Sequence, residues 1–184
     1  METTAVLTKT KWVIDPSHSE IGFKVKHLMI TNVKGKFSEF EADIYTTEEN
    51  FLTAEIDCWM NAASLDTGDD RRDAHLKGAD FFDVEHHKQV TFTGNTFEKV
   101  KAVHMYELYG DLTMKGFTKK IKLDVEFAGI IKDPWGNKKA GFTITGKINR
   151  KDWGLNWNTA LETGGVMVSD EVQINCDIQL LKKL

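Results

Sequence analysis

The sequence lacks the features that mark several common protein classes. It has only two prolines and two cysteines in 184 residues, and no apolar run approaches the ~18 residues of a membrane-spanning helix. The formal net charge is −4, and the 24 Lys and Arg residues form no basic patch that would follow a phosphate backbone. This composition argues against a nucleic-acid partner and against an integral membrane segment.

The first residues also lack a secretory signal. Residues 1–11 are polar apart from the short run Ala5-Val6-Leu7, whereas a signal peptide has a basic start and an apolar stretch of roughly 7–15 residues. We therefore expect a cytoplasmic protein in which residues 1–11 form an N-terminal tail. Residues 12–184 are expected to form a single domain, since a chain of this length can bury a sizeable core.

The chain is instead rich in strict two-residue alternation of apolar and polar side chains. One segment reads K-I-K-L-D-V-E-F over residues 120–127, and the pattern returns over residues 171–180. A strand places successive side chains on opposite faces, so each such segment has one apolar and one polar face. Many one-sided strands in a short chain must close around a packed core or around an apolar ligand.

Ten segments carry this pattern or a close variant of it. They are Lys11–Ile14, Ile21–His27, Val33–Phe37, Phe40–Tyr45, Leu52–Asn61, Val90–Thr96, Lys101–Thr113, Lys120–Ala128, Ala140–Ile148 and Val172–Leu180. Residues 66–76 break the pattern and predict one short helix, with Asp69 as its N-cap and Gly78 at its end. The whole indicates an all-β protein with about eight strands, folded as an antiparallel barrel or a sandwich.

The two cysteines, Cys58 and Cys176, both lie on the apolar side of their strands. We interpret them as buried free thiols, with a disulfide between neighbouring strands as the alternative.

Several short motifs occur in an order that resembles the YceI-like family. They are Trp12–Ser19 with Phe23–His27, Gly35–Phe37, Ser64–Thr67, Arg72–Leu76, Asp80–Val84, Gly110–Thr113 with Gly116 and Thr118, Asn149–Trp157 and Asp170–Val172. The resemblance extends from about Trp12 to Leu180. One departure is local: Glu85–Val90 stands where the family usually has a tyrosine and a proline, which affects the expected shape of that loop.

The resemblance implies an extended, lipocalin-like antiparallel barrel with a long apolar tunnel. Similar proteins hold a polyisoprenoid chain there, such as the tail of a quinone or of a prenyl phosphate, and bind or carry it rather than transform it. It also implies a homodimer, although the sequence does not show the interface. No cofactor and no metal site are predicted, because no His and Cys spacing resembles that of a zinc site.

Apolar residues on the inward side of the strands are the predicted tunnel lining, and four further ones are predicted to close its mouth. The lining set is Phe23, Val25, Ile56, Cys58, Met60, Phe92, Leu108, Phe127, Phe142, Ile144 and Trp153, and the mouth set is Leu65, Leu76, Phe81 and Phe82. Periodicity alone does not distinguish this tunnel from a dry packed core.

Seven polar residues are candidates for contact with a ligand head group at the mouth. They are His18, His27, Arg72, Asp73, His75, Arg150 and Asp152. The planar fork of arginine suits phosphate oxygens, but the alternative for the groups around Arg72 and Arg150 is a structural ion pair that ties a loop to the barrel. The alternative for His27 is a core histidine whose hydrogen bonds are satisfied within the protein. No G-x-S-x-G element or phosphate-binding glycine loop is present.

The sequence thus predicts a non-enzymatic protein that sequesters an isoprenoid lipid for transport, storage or stress protection. Two alternatives remain open. One is an enzyme that acts on a lipid or quinone, and the other is a ligand-free barrel that serves as a protein interaction module.

Overall fold

The computed structural model describes residues 6–184 and consists mainly of antiparallel strands with one α-helix. The strands are β1 Lys9–Ile14, β2 Glu20–His27, β3 Thr31–Phe37, β4 Phe40–Thr47, β5 Asn50–Asn61, β6 Leu65–Asp66, β7 Gln89–Lys99, β8 Met105–Met114, β9 Phe117–Lys132, β10 Lys138–Asn149 and β11 Val168–Lys182, and the helix is α1 Asp70–Lys77. Every strand pairing is antiparallel. No helix within residues 6–184 is long and apolar enough to cross a membrane.

Eight of the strands close into a barrel, which confirms the predicted fold class. Their order is β1-β4-β5-β7-β8-β9-β10-β11, and β1 pairs again with β11 to complete the ring. An eight-stranded barrel leaves an interior just wide enough for side chains or for one small ligand. Closure also pairs every barrel strand on both sides, so this part of the sheet has no free edge.

The long strand β11 extends the barrel at one end. The C-terminal part of β11 pairs with β1, whereas residues 168–177 pair with β2. Strand β2 then pairs with β3, and β3 pairs with the two-residue strand β6. The β2–β3 hairpin therefore extends the wall of the barrel beyond the point at which β1 ends.

Helix α1 forms where the sequence predicted it, for the predicted local reasons. The Asp69 side chain accepts a hydrogen bond of 3.0 Å from the backbone N–H of Arg72, which caps the first turn. Asp70 and Asp73 lie in that turn, where the helix dipole favours negative charge. The helix ends at Gly78.

The observed structure differs from the sequence prediction at several places. Strand β1 begins at Lys9, inside the segment predicted as a tail, of which residues 1–5 lie outside the described part of the chain. Residues 101–104 form a turn in which His104 has a φ of +62°, so β8 begins only at Met105. Phe81, predicted to close the tunnel mouth, is 95% buried beside the helix because it packs against the aromatic rings of His75 and Trp157.

Candidate functional site

A cavity of about 240 Å³ runs through the interior of the barrel. Its lining includes inward-facing residues of β1, β2, β4, β5, β7, β8, β9, β10 and β11 together with residues of α1 and of the loops that follow α1 and β10. Among the described residues, Arg150 is the one charged residue of this lining. The barrel thus keeps an apolar interior that its own side chains do not fill.

Half-buried residues on the inward face of the strands mark where the space lies. Ile56, Ile144 and Ile174 face inward on three different strands, yet each keeps an intermediate exposed fraction. Because these side chains line the cavity, part of that exposed area belongs to the cavity wall. A dry core of the same composition would bury such residues completely.

Twelve of the fifteen predicted tunnel and mouth residues line the cavity. They are Phe23, Val25, Ile56, Cys58, Met60, Leu76, Phe81, Phe82, Phe92, Leu108, Phe142 and Ile144. The other three, Leu65, Phe127 and Trp153, do not line it.

Phe127 belongs instead to an aromatic cluster that fills one end of the barrel. Its ring stacks on Phe142 with centroids 5.0 Å apart and lies 5.5 Å from the ring of Phe51. Phe51 in turn lies 5.0 Å from Trp12, which is completely buried. This cluster, here named the aromatic end, closes the barrel near the start of β5 and the C-terminus of β11.

Leu65 and Trp153 are core residues behind the cavity wall. Trp153 is 98% buried, and its indole N–H donates a 2.9 Å hydrogen bond to the Leu112 carbonyl. Leu65 lies in β6, where it pairs with Phe37 of β3. Both residues therefore position lining residues without forming the lining themselves.

The opposite end of the barrel, here named the capped end, is covered by α1, residues 78–84 and residues 150–167. Trp157 lies 4.7 Å from the ring of His75 and 5.5 Å from that of Phe81. Phe82 reaches back to Phe37 of β3, with ring centroids 6.1 Å apart. The loop after β10 and the helix thus meet over the cavity through aromatic contacts.

Arg150 is the residue that holds the loop after β10 in place. Its guanidinium donates to the carbonyls of Leu155 and Trp157 (the latter at 2.9 Å) and to those of Val168 and Ser169 at 3.2 and 2.9 Å. Arginine has five N–H donors, so four are already in use. The remaining side of the group faces Asp170, whose Oδ1 lies 3.7 Å away.

Burial of Arg150 has an electrostatic consequence. The residue is 97% buried, and burial lowers the pKa of its guanidinium while the nearby Asp170 carboxylate opposes that shift. Arginine remains protonated even so, because its ordinary pKa is above 12. Asp170 Oδ1 has no hydrogen-bond partner among the described residues. Among the described residues, only one N–H of Arg150 has no carbonyl acceptor, so this N–H alone is available for contact with a ligand head group.

The predicted polar group on α1 is a structural network outside the cavity lining. Asp73 is buried and accepts hydrogen bonds from the backbone N–H and the hydroxyl of Thr67, at 2.9 and 2.5 Å. Arg72 donates to the hydroxyl and the carbonyl of the same threonine, at 2.7 and 2.8 Å. The exposed His75 pairs with Asp80 at 2.9 Å. These bonds fix the helix to the segment that precedes it.

The remaining polar candidates also lie off the cavity. His27 ends β2, where it pairs with Val168, and Asp152 is exposed in the short helical turn after β10. His18 is exposed beside Asp15 and Ser17 in a turn before β2, with its Nδ1 2.9 Å from Asp15 Oδ2. The structure does not bring the seven predicted head-group residues together at one mouth.

The hydrogen bonds to Asp15 are expected to make part of the protein's stability sensitive to acid. The Ser17 hydroxyl and the His18 ring bond the Asp15 carboxylate and lower its pKa to about 2. Because an unfolded aspartate titrates near ~3.9, the stabilisation is complete above that pH and is lost as the pH falls toward about 2. We expect Asp15→Asn to flatten the fall in urea midpoint across this window, with Asp57→Asn on the outer face of β5 as a control that leaves the fall unchanged. An equal acid sensitivity in wild type and Asp15→Asn would contradict the assignment.

Both cysteines are free thiols, as the sequence predicted. Their side chains line the cavity. Burial raises the pKa of Cys58 to about 12 and that of Cys176 to about 11. Thiolate, the nucleophilic form, is therefore scarce at neutral pH. Within residues 6–184 no cluster of three or more His, Cys, Asp or Glu side chains is arranged to hold a metal ion.

Sequence reasoning missed lining residues at both ends of the barrel. Ile174 and Ile178 alternate with polar residues along β11, so their inward position was readable from the same pattern. Leu155 and Val168 also line the cavity, but they follow irregular backbone that has no periodicity to read. Phe51 precedes the part of β5 where the alternation begins to be clear.

Comparison with known proteins identifies the fold and the family. A family model described as the YceI-like domain matches residues 12–180. UPF0312 protein SAB2563 of Staphylococcus aureus is 37% identical over 171 residues, which cover 92% of this chain and 96% of that protein. The crystal structure of the Campylobacter jejuni YCEI protein matches over the full length of both chains, with 30% identity and a TM-score of 0.72.

A more distant structural neighbour shares the fold alone. It is a polyisoprenoid binding domain from Saccharophagus degradans, which aligns with a TM-score of 0.65 and 15% identity over 94% of this chain and 98% of that one. The family match over most of the chain, together with the closed barrel and its apolar cavity, shows that the protein belongs to the YceI-like family.

Proposed function

We propose that this protein binds the tail of a polyisoprenoid lipid in its barrel cavity, for transport, storage or stress protection. The observation that carries the proposal is the closed barrel with an unfilled interior, whose lining within residues 6–184 holds a single charged residue, Arg150. Open apolar space is unusual in a protein core, which normally packs as densely as an organic crystal. A ligand that is itself apolar and chain-like suits a cavity whose described lining is apolar apart from Arg150.

The comparisons support the class of ligand. The Saccharophagus degradans neighbour is described as a polyisoprenoid binding domain, and it has the same fold. At 15% identity that likeness does not carry the residues of its site over to this chain. The chemistry of the lining is therefore the independent support.

Burial of the tail supplies the binding free energy. Each buried CH₂ group contributes about 0.8 kcal/mol, so a few isoprene units exceed what an ordinary head-group contact offers. The volume of about 240 Å³ is below the roughly 300–1,000 Å³ of typical ligand pockets. A short tail fits the cavity as it stands, and a longer tail requires the capped end to move outward.

The lining favours retention of the ligand over chemical change. Its two thiols are held in the protonated form by burial, and Arg150 directs four of its donors to backbone carbonyls. General acid–base catalysis needs a group that titrates near the working pH within reach of the substrate. We propose on this basis that the protein is a binding protein and not an enzyme.

Native mass spectrometry of delipidated protein, titrated with prenyl lipids of graded tail length, tests the proposal. We expect one lipid per chain, with affinity that rises with tail length and then levels off once the cavity is full. The same lipids with different head groups should bind alike, because the tail carries the affinity. Affinity that follows the head group and ignores tail length would contradict the proposal.

A further inference from the structure

The turn that joins β2 to β3 exposes three large apolar side chains in a row. Leu28, Met29 and Ile30, here named the apolar turn, have exposed fractions of 37%, 48% and 79%. Single exposed apolar residues are common on protein surfaces, but contiguous ones indicate an interaction site.

The backbone of the apolar turn is as unusual as its composition. Leu28 and Met29 have φ values of +52° and +64°, and the Ile30 N–H donates to the His27 carbonyl at 3.2 Å. Two central residues with positive φ are typical of a type I′ turn, where Asn and Gly are preferred because a side chain with a bulky Cβ is strained there. Leucine and methionine at these positions therefore break a local folding rule, which is expected where function requires it.

The apolar turn is held firmly against the capped end. The Leu28 N–H donates a 2.8 Å hydrogen bond to the carbonyl of Met167. Met29 packs so closely on Gly165 that a Cβ at that glycine would lie 3.2 Å from Met29 Cγ. The loop after β10 thus presents the three side chains to solvent in a fixed position.

The outer face of the same hairpin is basic, although the whole protein carries a net negative charge. Lys24 of β2 lies directly opposite Lys34 of β3, and Lys26 lies on the same face. Like charges directly opposite on neighbouring strands destabilise a sheet. Among the described residues the hairpin's only lysine in an ion pair is Lys36, which reaches Glu20 at 3.6 Å.

Asp66 of β6 lies opposite Lys36, but within residues 6–184 no acidic side chain forms an ion pair with Lys24, Lys26 or Lys34. On the adjacent strand β11, Asp170 pairs with Lys151 at 3.2 Å and Glu171 pairs with Lys147 at 3.7 Å. The β11 residue opposite Lys24 is the uncharged Gln173. The hairpin therefore combines the apolar turn with three neighbouring lysines, Lys24, Lys26 and Lys34, that form no ion pair among the described residues.

The hairpin also lies next to the cavity. Val25, three residues before the apolar turn, lines the cavity, and so does Val168, which pairs with His27 at the base of the turn. The aromatic end of the barrel is filled by packed rings. The capped end is covered by loops and one helix, so it is the end at which a ligand could enter. A surface that the apolar turn touches is thus close to the side of the barrel that could admit a ligand.

We propose that the β2–β3 hairpin docks the protein on an anionic lipid bilayer. The apolar turn enters the boundary between head groups and acyl chains, and Lys24, Lys26 and Lys34 meet the negative head groups. Apolar side chains at the interface and adjacent lysines are the two contributions on which reversible membrane attachment depends. The proposal goes beyond lipid retention in the cavity, since docking is measured without any cavity ligand.

The most exposed aromatic side chain of the described residues, Trp135, lies in the turn between β9 and β10 near the aromatic end and is 83% exposed. That turn has glycine, Gly136, at a positive φ of +91° and so follows ordinary turn chemistry. Two of the lysines beside it are paired, Lys138 with Glu49 at 2.7 Å and Lys139 with Asp133 at 3.6 Å, which leaves Lys132 as the unpaired lysine among the described residues beside this turn. Trp135 therefore serves as a matched control for the apolar turn.

Co-sedimentation with vesicles of phosphatidylcholine, with or without phosphatidylglycerol, tests the docking surface. We expect binding only to the anionic vesicles, and we expect it to weaken as salt is added. The double variant Leu28→Asn with Met29→Gly should lose binding while its melting temperature stays level or rises, because the turn then has its preferred residues. Replacement of Lys24 and Lys34 by glutamine should weaken binding by about fivefold per lysine.

Control variants and lipid content separate the possible outcomes. Trp135→Ser, and Lys120→Gln with Lys122→Gln on the outer face of β9, should bind vesicles as wild type does. Binding that survives the Leu28→Asn, Met29→Gly variant, or is lost with Trp135→Ser, would overturn the proposal. A dimer that dissociates on the same double variant, with no vesicle binding by wild type, would assign the hairpin to a second copy of the chain and likewise overturn it. Loss of docking with unchanged cavity lipid leaves the proposed function standing.

Discussion

Replacement of Ile144 by tryptophan is expected to abolish lipid binding without unfolding the protein. Ile144 faces inward on β10, lines the cavity and is incompletely buried, so a larger ring at this position enters the space that we assign to the lipid tail. In a packed core the same substitution would cost about 1–3 kcal/mol through overpacking. Because the ring here fills open volume, we expect the melting temperature to stay level or to rise.

The expected loss of affinity is at least tenfold, which corresponds to ~1.4 kcal/mol. Thr143→Trp is the matched control, because Thr143 is the preceding residue of the same strand and is exposed on the outer face. Native mass spectrometry with one prenyl lipid should show binding by wild type and Thr143→Trp and none by Ile144→Trp. Full binding by a folded Ile144→Trp variant would show that the lipid does not occupy this cavity.

Replacement of Arg150 by methionine is expected to give the largest loss of stability. Methionine keeps an unbranched apolar stem, but it leaves the carbonyls of Leu155, Trp157, Val168 and Ser169 without the donor that now serves all four. Loss of one member of a buried charged network costs about 3–5 kcal/mol. Urea denaturation measures this difference in the free energy of unfolding.

Two further variants distinguish the network from simple charge. Arg150→Lys keeps the charge but not the planar fork, so we expect it to lose most of the same stability and to expose residues 154–167 to proteases. Lys151→Met removes an exposed neighbouring charge and should change the free energy of unfolding by less than about 1 kcal/mol. If Arg150→Lys were as stable as wild type, the four-carbonyl network would not be what holds the loop.

The strands were largely predictable because a one-sided strand has a simple period. The alternation over 120–127 gave the inward face of β9, and Val125 on that face is completely buried. Phe127 continues the same face but does not line the cavity. Phe127 lies at the level of the barrel where Phe51 and Phe142 fill the interior, so its ring meets other rings and not open space. The two-residue period shows which face a side chain is on, but not how far along the barrel axis it lies.

The polar residues were the least predictable part of the site. Arg150 is a sequence candidate both for ligand contact and for a structural ion pair that fixes a loop. In the structure it does hold a loop, but mainly through carbonyls that lie 5 to 19 residues further along the chain. The residue type does not show which carbonyls Arg150 meets, because only the path of the irregular loop brings them to its donors. Asp73 shows the same limit, since its partner Thr67 depends on how the helix packs against the segment before it.

The β2–β3 turn shows where sequence patterns and backbone conformation disagree. Nothing in the run Leu28-Met29-Ile30 predicts two consecutive residues with positive φ, because tight hairpin turns normally carry Asn and Gly. The sequence pattern therefore does not predict the strained backbone of the apolar turn. The conformation of the turn depends on its contacts with the loop after β10, where the Leu28 N–H bonds the Met167 carbonyl and Met29 packs on Gly165.

The most direct test of the central claim is mass spectrometry on an organic extract of the purified protein. The barrel cavity predicts close to one isoprenoid molecule per chain, released from wild type and Thr143→Trp but absent from the Ile144→Trp variant. A clean extract from folded wild-type protein, followed by no uptake of prenyl lipids offered to it, would contradict lipid binding. That result would favour a ligand-free barrel that acts through its surface.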